Sequence, residues 1–168
     1  MKTKTVLALA ALMAAPLASA DHHGDQKPAT PAEEKAGDAK KADTTVVIES
    51  NDQMKYDKNE FKVKSGETVA LTLKNVGKLP KVAMGHNLVI LQTAVPVPAF
   101  AMSCMQAKEN DYIPTTEEGK AQMIAHTKLL GPGEEDTITF TAPAVGTYNY
   151  VCTFPGHFGV MKGVMVVE

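Results

Sequence analysis

From residue 45 onward, apolar and polar positions alternate in short runs, the period-two pattern of strands with one buried face. The first runs are "TVVIES" (45–50), "EFKVK" (60–64) and "TVALTLKN" (68–75), rich in β-branched residues and separated by turn chemistry such as "SGE". "NLVIL" (87–91) is a compact apolar run. "DTITF" (136–140) sets Ile138 and Phe140 on one face, and "GTYNYVC" (146–152) does the same with Tyr148, Tyr150 and Cys152. "GVMVVE" closes the chain, and "GPG" (131–133) and "APAVG" (142–146) punctuate its last third. Seven or so strands at this spacing predict an all-β chain folded as a Greek-key β-sandwich.

Residues 93–120 break the rhythm. "TAVPVPAFAMSCMQAKENDYIPTTEEGK" predicts a helix from about Ala99 to Lys108, after Pro96 and Pro98 and before Pro114. The expectation is one short helical flap, inserted around residues 95–120, packed on one side of the sandwich. The N-terminus reads differently again. Lys2 and Lys4, the apolar "VLALAALMAAPLA" and the Ala18-Ser19-Ala20 cleavage site form a secretory signal over residues 1–20. That apolar run is too short and alanine-rich for a membrane span, so no transmembrane segment is expected in the mature chain. Residues 21–44 contain almost nothing large and apolar and read as a flexible leader. One domain then occupies residues 45–168, and the signal points to the bacterial periplasm or the cell exterior, with a tethered form also compatible.

Composition narrows the partners. The 17 basic residues are all lysine and are nearly balanced by 19 acidic ones, a formal net charge of −2. Nothing suggests the basic face that nucleic acid requires. The 2 cysteines, Cys104 and Cys152, would be free to join in an oxidising compartment, and one bridge is the plain alternative to separate roles. Taken alone, Cys104 reads as a buried small hydrophobe beside Met102 and Met105.

Cys152 has another use. In "CTFPGHFGVMKG" (152–163) it lies in a loop with His157 and Met161, and His86 stands at the start of another strand in "MGHN". Each of these residues alone is an ordinary core or surface residue. Together, two imidazoles, a thiolate and a weak thioether form a soft donor set suited to copper, with a His2Cys plane and a long axial Met. Thiolate and thioether favour Cu(I), imidazole tolerates Cu(II), and one cage then serves both states. Gly156 lets the loop fold back and Pro155 stiffens it.

On "NDQM" (51–54), "LPKVAMGHN" (79–87), "IAHTKLLGPGE" (124–134) and "CTFPGHFGVMKG", the chain from about Ser50 to Val167 resembles the azurins, the bacterial blue copper proteins of the cupredoxin family. The resemblance implies one type 1 copper cycling between Cu(I) and Cu(II). Its equatorial ligands would be His86, Cys152 and His157, with a distant axial Met161 and the Gly85 carbonyl opposite. Around them, Asn87 and Thr153 would tie the two ligand loops together, and the N–H groups of Asn87 and Phe154 would point at the Cys152 sulfur. Leu79, Pro80, Ala83, Met84, Pro155 and Phe158 would form an apolar docking patch around His157. By resemblance, its partners would be redox proteins such as c-type cytochromes or copper-containing reductases.

The chain also departs from the azurin pattern. The places of the family's disulfide hold Thr44 and Gly66, a redox-linked histidine is Asn75, and a buried tryptophan is Leu88. His126 matches a surface histidine. Outside the resemblance, a mature terminus Asp21-His22-His23 would offer an amine, two amides and an imidazole to a second, weak Cu(II). Electron transfer is the leading expectation, copper storage or delivery the alternative, and a copper-free interaction module the third. An enzyme is not expected, because no second histidine cluster exists for a catalytic copper.

Overall fold

A computed structural model describes residues 41–168, and all structural statements concern those residues. The expected signal and nearly all of the leader lie outside them. The strands are β1 (Thr44–Asn51), β2 (Lys55–Tyr56), β3 (Glu60–Val63), β4 (Thr68–Asn75), β5 (Val89–Leu91), β6 (Met123–His126), β7 (Glu135–Thr141), β8 (Gly146–Val151) and β9 (Lys162–Val167). They form two sheets, in the orders β2-β1-β4-β7 and β3-β9-β8-β5-β6. β1 and β4 pair in parallel, as do β3 and β9, so the chain must cross between layers and cannot run as a simple meander. This is the expected sandwich, with its helices gathered between β4 and β6.

The alternation seen in the sequence is the alternation of burial. Along β1, Val46, Ile48 and Ser50 face inward while their neighbours face water. Ile48, Leu71, Leu73, Leu88, Ile90, Tyr150 and Met165 meet in one core between the sheets. Leu71 and Leu73 are fully buried, each contributing about 2 kcal/mol by removal from water. Gly163 is required where β9 passes its partner on β8: a Cβ there would run into the Tyr150 ring.

The flap is more broken than its sequence suggests. Helix α1 (Lys81–Met84) precedes β5, and α2 (Val97–Cys104) passes into a 3-10 turn over Met105–Asn110 that kinks at Ala107. A third helix, α3 (Glu117–Ala121), is capped by the Thr116 side chain accepting from the Gly119 N–H. Phe100 and Cys104 pack from the flap onto Val89, Leu91 and Val151 of the sheet. Both cysteines are free and buried, so the Cys104–Cys152 bridge does not form. Strand β5 covers only three residues of "NLVIL", because Asn87 and Leu88 turn their main chain to other partners.

At Thr44 and Gly66, where a disulfide is missing, polar contacts hold the same corner. Thr44 Oγ1 donates to Glu67 Oε2 at 2.8 Å, and the Thr68 N–H donates to Asp43 Oδ2 at 2.8 Å. Asp43 and Thr44, assigned to the leader by composition, are thus part of the first sheet's edge.

Candidate metal centre

β8 and β9 are a hairpin in antiparallel register, Val151 opposite Lys162, and residues 152–161 are the loop that joins them. The loop closes on itself. The Cys152 N–H donates to the Met161 carbonyl at 3.0 Å, and the Met161 N–H to the His157 carbonyl at 2.8 Å. Gly156 takes φ +85°, the left-handed turn the sequence led one to expect. His86 comes from the other side of the site, clamped by a two-way bridge with Leu130: its N–H donates at 3.1 Å and its carbonyl accepts at 2.7 Å. Gly85 before it is buried in an ordinary extended conformation. Its need for glycine is close packing, since a Cβ would stand 2.7 Å from the Lys81 carbonyl and 3.0 Å from the Leu129 side chain.

These loops bring His86, Cys152 and His157 together with their donor atoms within 4.8 Å of one another, all buried. Cys152 Sγ lies 3.6 Å from His157 Nδ1, and the two imidazole centroids are 5.1 Å apart. Both ring nitrogens of His86 are buried without a hydrogen-bond partner. Buried polar atoms are nearly always paired, so this orphaned imidazole calls for something the protein alone does not supply. Burial lowers the His86 pKa, partly offset by the Asn51 carbonyl and the Asp52 carboxylate. Burial and then the neighbouring His86 push His157 down to about 4. Both rings are therefore neutral at physiological pH, with lone pairs available. Burial pushes the Cys152 thiol up to about 12, while N–H groups of Asn87 and Phe154 pull the other way. A soft cation fits this donor set: it would satisfy the imidazoles and displace the thiol proton.

A hydrogen-bonded frame surrounds the three residues. Asn87 Oδ1 accepts from the Thr153 N–H at 2.8 Å, and its Nδ2 donates to Thr153 Oγ1 at 2.7 Å. The Thr153 hydroxyl donates to the Tyr112 carbonyl at 2.9 Å, which ties the frame to the flap. Tyr112 and its neighbour Asp111 both hold φ near +60°, an uncommon backbone for side chains of this size. The Tyr112 ring meets Phe154 edge-on at 5.4 Å, and Phe154 in turn lies 4.7 Å from His157. Met161 is fully buried in the same cluster as Cys152, Leu129 and Phe154.

Residues 42–168 match the copper-binding proteins of the plastocyanin/azurin family. The chain belongs to that family. Among its relatives, Azurin-2 of Alcaligenes xylosoxydans xylosoxydans is 39% identical over 128 residues, covering 74% of this chain and 97% of its own length. Azurin of Pseudomonas fluorescens biotype C is 37% identical over 131 residues, 76% of this chain and all of that one. Among solved structures, dithionite-reduced auracyanin of the photosynthetic bacterium Roseiflexus castenholzii is 41% identical with a TM-score of 0.66. It spans 76% of this chain and 98% of its own. Auracyanin A of Chloroflexus aurantiacus, described as a "blue" copper protein, is 32% identical with a TM-score of 0.64, over 74% and 98% of the two chains. The fold and the His-Cys-His cluster are those of a cupredoxin with one type 1 copper.

The remaining cupredoxin expectations fall as follows. Leu79, Pro80 and Ala83 are exposed, and Met84, Pro155 and Phe158 are partly so. Asn75 is buried, donating to the Leu130 carbonyl and accepting from the Gly77 N–H, with no titrating group in the histidine's place. Leu88 is fully buried in the main core and His126 is exposed. Asp21, His22 and His23 lie outside the described residues. Sequence reasoning missed Tyr56, Tyr112, Leu129, Val82 and Val160. Only the last two had a local signal, as apolar residues beside the ligand motifs.

Proposed function

We infer that the protein is a one-electron carrier whose single copper would be held by His86, Cys152 and His157, with Met161 and the Gly85 carbonyl as weaker donors. The observation that carries this reading is the partnerless, buried His86 imidazole beside a buried thiol and a second neutral imidazole. Copper, when bound, supplies a one-electron Cu(I)/Cu(II) couple at this donor set. The chain's own residues do the rest. Their burial keeps water away from the donors, and the closed loop and the Leu130 clamp fix them in place, which disfavours rearrangement between redox states. Main-chain N–H groups directed at the sulfur stabilise its negative charge.

An apolar surface beside the site supports electron exchange by brief encounters. Leu79 of the expected patch is 45% exposed, and Val82 (90%) and Val160 (64%) extend that patch. The proposed partners are redox proteins such as c-type cytochromes or copper-containing reductases. The proposed location is the periplasm, reached through the signal at residues 1–20; no helix among the described residues is long and apolar enough to cross a membrane.

The test is the visible spectrum after adding Cu(II), with Cys152→Ser as control. An intense band near ~600 nm that disappears in the control is the expected mark of thiolate–copper charge transfer. A folded, zinc-free protein that stays colourless would overturn the reading.

A further inference from the structure

The main chain from His86 to Leu88 leaves almost none of its polar groups to chance. His86 exchanges two bonds with Leu130, the Asn87 N–H is directed at the Cys152 sulfur, and the Leu88 N–H donates to Thr127 Oγ1 at 3.0 Å. The Leu88 carbonyl accepts from the Thr127 N–H at 3.0 Å. The Asn87 carbonyl, in a fully buried residue, takes its hydrogen bond from the Tyr56 hydroxyl at 2.5 Å. Tyr56 belongs to the two-residue strand β2 at the edge of the opposite sheet. Its ring packs against both the main core and the Cys152–Met161 cluster, and stands 5.5 Å from Tyr150.

We propose that the Tyr56 hydroxyl is a positioning group for the metal site, holding Asn87 so that its N–H stays on the Cys152 sulfur. This rests on Cys152 being the copper thiolate. The Asn87–Leu88 peptide is gripped at both ends, by Tyr56 on its oxygen and Thr127 on its nitrogen. Releasing the oxygen leaves a buried acceptor without a partner and frees that peptide to rotate. The Asn87 Cα is shared with the His86–Asn87 peptide, so the movement tilts that peptide against its Leu130 bond, draws its N–H off the sulfur and lets the thiolate give more charge to the metal. Hydrogen bonds to a ligating sulfur tune its potential, and weakening one favours the oxidised state.

Tyr56→Phe tests this, because it keeps the ring and removes only the hydroxyl. Tyr150→Phe is the matched control, deleting a buried hydroxyl that donates to the Lys58 carbonyl on the same aromatic pair. The expected result is a lowered reduction potential and a shifted thiolate–copper band in Tyr56→Phe, with both unchanged in Tyr150→Phe. In metal-free protein, the Asn87 amide should exchange with solvent about tenfold faster in Tyr56→Phe alone. Potential, band and amide exchange unchanged in Tyr56→Phe would overturn the proposal, as would equal shifts in both variants. If wild type itself gives no band, the ligand reading fails, and the amide exchange decides the Tyr56 positioning by itself.

Discussion

In the metal-free protein, two neutral imidazoles are buried side by side, and acid acts on that pair first. The His157 pKa is near 4 when folded, against 6.5 for the free side chain. Between those values the unfolded chain binds the proton and the folded chain does not, so stability falls as pH drops from about 6.5 to about 4. The loss from His157 alone should be ~3 kcal/mol, at about 1.4 kcal/mol per pKa unit. Urea melts of metal-free protein across that range measure it, and a flat profile would show that the ring is not buried as described. The His86, Cys152 and His157 cluster was legible in the sequence because Cys152 and His157 share one loop motif, a local pattern, and His86 stands in a second. Tyr56 and Tyr112 were not. Each acts from a distant segment, Tyr56 through its hydroxyl and Tyr112 through its carbonyl and ring, and neither role leaves a local mark.

At the scale of elements, strands with one wet face announced themselves by alternation, and β1, β4, β7 and β8 fall close to their expected bounds. β6 was hidden because Met123, Ile124 and Ala125 are all half-buried, which erases the period-two contrast. β2 is too short for any pattern. The flap's helix was legible but not its break into a 3-10 turn, which follows from a non-helical Ala107 and the left-handed Asp111 that ends it. Between neighbouring strands of one sheet, β9 runs close beside the Tyr150 ring of β8 at Gly163. Gly163→Ala forces that ring or the neighbouring Asn59 carbonyl, 2.6 Å from the added carbon, to move. The expected loss is about 2–3 kcal/mol, the usual cost of overpacking a filled core, read from the urea midpoint. A variant as stable as wild type would mean the Tyr150 ring can move aside at low cost.

For the whole molecule, a surface recess lined by Val82, Tyr112, Leu129 and Phe154, together with Lys81, Lys108 and Asp111, includes the Phe154 ring that touches His157. Two copies exchanging an electron would bring such faces together. Val82→Lys then adds a third lysine to Lys81 and Lys108 on each facing copy and should slow self-exchange about tenfold at low salt, with recovery as salt screens the charge. The visible spectrum should not change, because the side chain is 90% exposed and touches no donor. Unaltered exchange would place the electron's exit elsewhere. The proposed donors are also unevenly spread along the chain: one hairpin loop carries Cys152, His157 and Met161, while His86, in the connection between β4 and β5, reaches them only in the folded sandwich. A denatured chain therefore keeps three of the four proposed donors close together along its length. Such a chain retains affinity for the ion, and binding to the unfolded state subtracts from the stabilisation that mass action gives the native one. Copper should accordingly raise the melting temperature by less than its affinity for the native protein would suggest, and refolding should begin with the ion already held at the loop.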